Sequence, residues 1–250
     1  MQIDLNCDLG ESFGNYKCGM DEQVLPYITS ANVACGFHAS DPVVMMHTVA
    51  MAEQYGVGVG AHPGFPDLQG FGRRNMVMSP EEIKAMIVYQ IGALSAFCQV
   101  ENIPLCHVKP HGALYNMAGK NMEMAMAICE GIAQVDPDLK VLAQAGSCLE
   151  NAAHQCGLKF AKEIFADRAY EEDGSLVARS KPGAMITDEE EAVRRVISMV
   201  KDGRVTAITG KEIAVQADSI CVHGDGPKAV AFVKKIKAAL EDAGIEVCRM

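Results

Sequence analysis

Six short runs hold residues able to do acid–base, electrostatic or anion-binding chemistry: NCDLGESFG (6–14), CGFHASDP (35–42), GAHPGFPD (60–67), HVKPHGALYN (107–116), EIFADRAY (163–170) and CVHGDGP (221–227). All but EIFADRAY follow apolar or small residues and run on into Gly or Pro, the pattern of a buried strand spilling into a loop. Packing alone rarely needs His, Asp and Lys at the same end of so many strands. Loops beyond the C-terminal ends of strands in an α/β sheet or barrel carry the chemistry of such folds. The chain therefore reads as an enzyme, with Asp8, Glu11, His38, His62, Lys109 and His111 as its candidate catalytic groups.

Strand alternation sharpens the choice. Ile3, Leu5 and Cys7 share one face of the first strand, and Asp4, Asn6 and Asp8 share the other, which must meet a polar interior. His107, Lys109 and His111 share one face if their run stays extended, and Pro110 opposes a helix there. Small residues precede two other histidines, Ala34 and Gly36 before His38, Gly58 and Gly60 before His62. Five of the seven histidines (38, 62, 107, 111 and 223) sit at such strand ends, whereas His47 and His154 fall in helical patterns. Plainer roles compete: Asp8 capping a turn, Glu11 stabilising a helix N-terminus, Lys109 lying at the surface. Arg73 and Arg74 fit ordinary solvated charge or recognition of a substrate carboxylate. Met45, Met46, Met51, Met122, Met124 and Met126 fit core filling.

The elements that must position these groups alternate. Strand-like segments recur at 2–7, 32–37, 57–61, 105–109, 140–144, 160–166 and 219–223, with helical patterns between most of them, which implies βα units and parallel strands. Ser79-Pro80-Glu81-Glu82 supplies an N-cap, an N1 proline and a capping-box glutamate for the best-marked helix, and Thr187-Asp188-Glu189-Glu190 repeats the signal. The weakly periodic stretch 167–187 predicts a long loop or small hairpin over the site. No linker or low-complexity stretch divides residues 1–250, so one domain is expected.

Composition narrows the function. A formal charge of −10 disfavours a nucleic-acid partner. Ten scattered cysteines without a C-x-x-C pair read as buried thiols of a reducing cytoplasm. No signal peptide opens the chain and no apolar run of about 18 residues appears, so neither targeting nor a membrane is expected. There is no G-x-S-x-G elbow, no phosphate-binding P-loop, since Thr209-Gly210-Lys211-Glu212 lacks its upstream glycine and following hydroxyl, and no G-x-G-x-x-G fingerprint.

Taken in order, NCDLGESFG, NVACGFHASDP, GAHPGFPDLQGFGRR, HVKPHGALYN, EIFADRAYEEDGSLVARSKPGA and ICVHGDGP closely resemble the LamB/YcsF family over nearly the whole chain. Departures are small: Ser40 stands where Gly is expected, and Ala178 where Pro is common. The resemblance implies an irregular seven-stranded (β/α) barrel of the glycoside hydrolase/deacetylase type. It also implies ATP-dependent opening of 5-oxo-L-proline (pyroglutamate) to L-glutamate, together with two further subunits, B and C. ATP, with magnesium, would be a co-substrate handled by those subunits, and no tightly bound cofactor is expected.

Within that reading, a histidine or Asp8 activates water, and Lys109 with His111 stabilises developing negative charge. Arg73, Arg74, Arg168 and Arg179 are the candidates for the substrate carboxylate, and Asn6, Asp167, His223 and Asp225 complete the expected substrate-binding set. Two other readings stay open. In one, Asp8, His38 and His62, or His107 and His111, hold a divalent ion in a deacetylase or amidohydrolase, although no ligand spacing assigns a metal site. In the other, the chain only binds the lactam. A homo-oligomer is permitted by the composition.

Overall fold

The computed structural model describes residues 1–222 and 229–250. Its strands, in chain order, are β1 (Gln2–Leu9), β2 (Ser30–Ala34), β3 (Gly58–His62), β4 (Leu105–Val108), β5 (Lys140–Ala143), β6 (Lys159–Phe165), β7 (Arg204–Thr206), β8 (Glu212–Ala214), β9 (Ser219–Val222) and β10 (Glu246–Val247). The helices are α1 (Asp21–Val24), α2 (Pro42–Gln54), α3 (Pro80–Val100), α4 (Gly112–Ala118), α5 (Met122–Val135), α6 (Cys148–Gln155), α7 (Glu189–Lys201) and α8 (Ala229–Asp242).

Seven strands pair in parallel in the order β1-β2-β3-β4-β5-β6-β9, and β9 returns to β1, so the sheet closes into a barrel. Each of the seven strands read from the sequence is one of these. The alternation in β1 explains why closure is stable: Ile3, Leu5, Cys7 and Leu9 face the helices in one large apolar cluster, while Asp4 and Asn6 are buried inside the barrel. The interior is narrow, and neighbouring strands make room for one another. A side chain at Gly60 would collide with the His107 imidazole on the adjacent strand, so the small residue before His62 is there for its neighbour.

The helix signals match the structure with small adjustments. Ser79 and Glu82 form the reciprocal capping box of α3. The N-cap of α7 is Asp188, whose side chain accepts from Glu191 N, one residue later than the Thr187 start. By length and composition alone α3 could cross a membrane, but its Ile83, Ile87, Ile91 and Leu94 belong to the core and it packs on α5. Met45 and Met124 are buried, whereas Met46 and Met122 are exposed and fill no core.

Two features escaped the pattern. The antiparallel hairpin β7–β8 lies at 204–214, outside the 167–187 stretch, with only three residues in each strand. β10 adds to β1 through two residue pairs. Stretch 167–187 forms a loop tied by single bridges, Arg168 to Met185 and Tyr170 to Leu176, and pinned where the Tyr170 hydroxyl accepts from Phe165 N at 2.8 Å.

Candidate active site

Two layers of polar groups stack at the C-terminal end of the barrel. The lower layer centres on Lys109, which follows β4. Its Nζ lies 2.7 Å from Glu163 Oε1 on β6 and 3.1 Å from Asp8 Oδ1 on β1, and it donates to Asn6 Oδ1 at 3.2 Å. Burial alone would drive the proton off this amine, but Asp8, the Cys221 thiol and Glu163 hold its pKa well above the ordinary lysine value. Glu163 is itself pushed up by burial, against the pull of Lys109 and of the Tyr115 hydroxyl, which donates to its Oε2 at 2.9 Å. One ammonium thus serves two carboxylates, Glu163 fully buried and Asp8 partly exposed.

Beneath it runs a chain of hydrogen bonds. Asn32 Nδ2 donates to Asp8 Oδ1 at 2.9 Å and to Asn6 Oδ1 at 2.8 Å, which turns its own oxygen toward His107 Nε2 at 2.7 Å. Burial, then Lys109, lowers the His107 pKa to about 3, so this imidazole is a neutral donor. His107 therefore shares a face with Lys109 but lies a layer below the chemistry.

The upper layer is built of imidazoles. His62 ends β3, His38 follows β2, and His111 is the N-cap residue of α4. The rings of His38 and His111 stack at 3.6 Å and 3°. His62 meets His111 edge-on, with Nε2 and Nδ1 3.0 Å apart. Glu11 Oε1 lies 3.2 Å from His38 Nε2 and 3.6 Å from His111 Nδ1. Gly72, at φ +62°, closes over the stacked pair, where a side chain would press on His38 Cβ and His111 Cδ2. Burial lowers the pKa of His38 and of His111 well below the histidine norm and raises that of Glu11. One ligand atom from each of Glu11, His38, His62 and His111 lies within 4.8 Å of all the others, so these four could hold a metal ion.

Both layers open into a cavity of about 770 Å³, with Asp8, Glu11, His62, Lys109 and His111 at its base. Arg73, Lys120, Arg168 and Arg179 stand on its walls. Arg168 is buried, donates to Val177 O at 2.7 Å and has its pKa lowered to about 10, first by burial and then by Arg179. Loop 167–187 forms one side, as its place in the sequence suggested.

Three predicted binding residues lie elsewhere. Arg74 points away and clasps Asp67 through Nε, at 3.0 Å to each oxygen, and through Nη2. Asn6 is fully buried under Lys109 and donates to Ser219 Oγ at 2.7 Å, so it supports the base of the site instead of lining the cavity. Asp167 is buried next to Arg168, and its carbonyl receives Ile186 N; it anchors the loop and does not reach the cavity wall. His223 and Asp225 lie outside the described residues.

Sequence reasoning missed Glu163, Tyr115 and Cys221. Glu163 had a signal: it is a charge near the end of a strand on the same face as the apolar Ala161 and Phe165.

Closed parallel (β/α) barrels with their polar groups gathered at the C-terminal strand ends form a class of enzyme scaffold, and this chain has that architecture and that placement. A family 4 carbohydrate esterase from Streptomyces lividans shares the fold alone, at 11% identity and TM-score 0.50 over 98% of this chain and 91% of the esterase. The chain belongs to the LamB/YcsF family, whose sequence pattern matches residues 3–250. The A subunit of a 5-oxoprolinase from Clostridium beijerinckii is 66% identical, covering 98% of this chain and 96% of the relative. Its counterpart from Pyrococcus abyssi is 56% identical over 99% and 97%. The crystal structure of a lactam utilization protein from Thermus thermophilus superposes with TM-score 0.95 at 48% identity, each chain covered completely.

Proposed function

We propose that this chain is the lactam-opening component of a 5-oxoprolinase, converting 5-oxo-L-proline to L-glutamate with ATP consumed by partner subunits B and C. Several relatives are named as the A subunit of 5-oxoprolinase, which speaks for a multi-subunit enzyme. The observation that carries the reading is a polarity gradient. An acid, an ammonium and imidazoles meet at the base of a cavity whose walls present the arginines that a small anionic substrate needs.

A five-membered lactam resists hydrolysis because amide resonance makes its carbonyl a poor electrophile. Phosphorylation of the lactam oxygen, with ATP consumed on the partners, would activate the ring carbon. Water adds to it, the ring nitrogen takes a proton and leaves as the amine, which opens the ring to an acyl phosphate, and a second water displaces phosphate to give L-glutamate. No P-loop lies in this chain, and that supports assigning the kinase step to the partners. Arg168 and Arg179 bind the ring carboxylate and Arg73 the opposite edge. Asp8 takes the proton from the attacking water, and Lys109 stabilises the negative charge that develops on the oxygens of the tetrahedral adduct. A cavity of about 770 Å³ leaves room for the lactam with its phosphate.

The test is glutamate and ADP formation from 5-oxoproline and ATP by this chain alone, by the partners alone, and by the mixture. Turnover only in the mixture supports the division of labour. Ring opening by this chain alone without ATP overturns it.

A further inference from the structure

The imidazole layer contains an arrangement of lone pairs that hydrogen bonding among the described residues does not satisfy. His62 Nδ1 lies 2.7 Å from the backbone carbonyl of Lys109, and His111 Nε2 lies 2.8 Å from that of Phe71. A carbonyl only accepts, so each ring carries a proton on that nitrogen, which leaves the other nitrogen an acceptor in the neutral ring. Those two acceptors, His62 Nε2 and His111 Nδ1, face each other at 3.0 Å. The groups that close on them are further electron-pair donors: Asp8 Oδ2 at 3.3 Å from His62 Nε2, and Glu11 Oε1 at 3.6 Å from His111 Nδ1. Buried lone pairs turned toward one another need a cation between them.

We infer that His62 Nε2, His111 Nδ1 and Glu11 Oε1 bind a divalent first-row transition ion of the zinc class. The spacing fits: a tetrahedral ion with bonds of about 2.0–2.1 Å separates its ligand atoms by about 3.3 Å. The measured edges of 3.0 and 3.6 Å bracket that value, and the third lies within 4.8 Å. The surroundings fit as well. Metal-ligating histidines pass their second N–H to a carbonyl or carboxylate, and both rings do so here. The ligating carboxylate is oriented in turn by His38, whose Nε2 lies 3.2 Å from Glu11 Oε1. Two nitrogens and one oxygen select the zinc class over magnesium or calcium, which favour all-oxygen shells. Three protein ligands leave a fourth position for water, and all three line the base of the cavity, beside Asp8. The ligands stand at residues 11, 62 and 111, on three different strand ends, and so leave no local spacing in the sequence.

The inference stands on geometry and does not require the lactam reading. Its test is cobalt titration of the full-length, chelator-dialysed chain, followed by visible absorption and by thermal melting with zinc. Wild type should take up one cobalt per chain, with ligand-field bands and no thiolate charge-transfer band, and zinc should raise the melting temperature. Glu11→Gln, which keeps the volume, should weaken binding about 10- to 100-fold. His62→Ala/His111→Ala should abolish it, with circular dichroism reporting on the fold. Absence of saturable binding by wild type would mean that a proton bridges the two rings and would overturn the site. So would unchanged affinity in Glu11→Gln, or a thiolate band assigning the metal to the ten free cysteines. The binding assay contains no ATP, lactam or partner, so either proposal can fail while the other stands.

Discussion

Asp4 and Asp8 lie on the same face of β1, two periods of the alternation apart, and they live in opposite chemical worlds. Asp4 sits at the closed end, 1% exposed, with three hydroxyls donating to its carboxylate: Thr29 at 2.7 Å, Ser30 at 2.6 Å, and Ser219. Burial raises its pKa, and those hydroxyls pull it part of the way back. Asp8 sits at the open end. One of its oxygens takes Lys109 and Asn32, while the other faces His62 at the base of the cavity. A carboxylate enclosed by neutral hydroxyls is a structural fastener; one held between an ammonium and an imidazole at a cavity floor can exchange protons with a substrate. The barrel thus repeats one residue type along one strand and assigns its role by depth, stability at the N-terminal end and chemistry at the C-terminal end.

The contrast breaks most sharply under Asp8→Asn. Loss of a positioned base costs about 10²–10⁴-fold in turnover, and melting should change little because the amide still accepts from Lys109. Turnover within a few-fold of wild type would move the base elsewhere. Next in size is Lys109→Met, which leaves Asp8 and Glu163 buried without their shared cation; urea unfolding should show a loss of about 3–5 kcal/mol, with activity gone. Retained stability would mean that the carboxylates share a proton instead. Asp4→Asn is the mirror case: it should cost about 1–3 kcal/mol, as expected for disturbed buried hydrogen bonds, and leave kcat near wild type. A large loss of kcat there would erase the distinction between the two ends.

The sequence made the barrel legible because each strand alternates or runs apolar between turn residues, and it made Asp8, Lys109 and His111 legible because parity and Pro110 fix where those side chains point. It could not separate Arg73 from Arg74. They are adjacent and identical, and only the folded loop brings Asp67 to Arg74 while Arg73 remains at the cavity, over the Phe71 ring. Glu163 was hidden for a related reason: its partner Lys109 is 54 positions away, and the two meet only because the barrel closes. The hairpin at 204–214 was too short and too charged for a period-2 signal.

A third carboxylate sharpens the comparison by belonging to neither group. Asp21 opens α1 and accepts from Gly10 N at 2.8 Å, holding the turn that carries the chain from β1 toward Glu11. Burial, with Glu11 adding to it, raises its pKa from the ordinary 3.8 to about 6. Between those values the folded state binds more protons than the unfolded one, so stability falls as pH rises through the window and stays reduced above it. The gap corresponds to about 3 kcal/mol at most, and to about 1–2 kcal/mol for a side chain that is only partly buried. Asp21→Asn keeps an acceptor for Gly10 and cannot ionise. It should therefore match wild type near pH 4 and exceed it by about 1–2 kcal/mol at pH 8 in urea unfolding. A variant less stable than wild type at pH 8 would show that the negative charge itself holds the Gly10 turn, and Asp21 would then join Asp4 as a fastener.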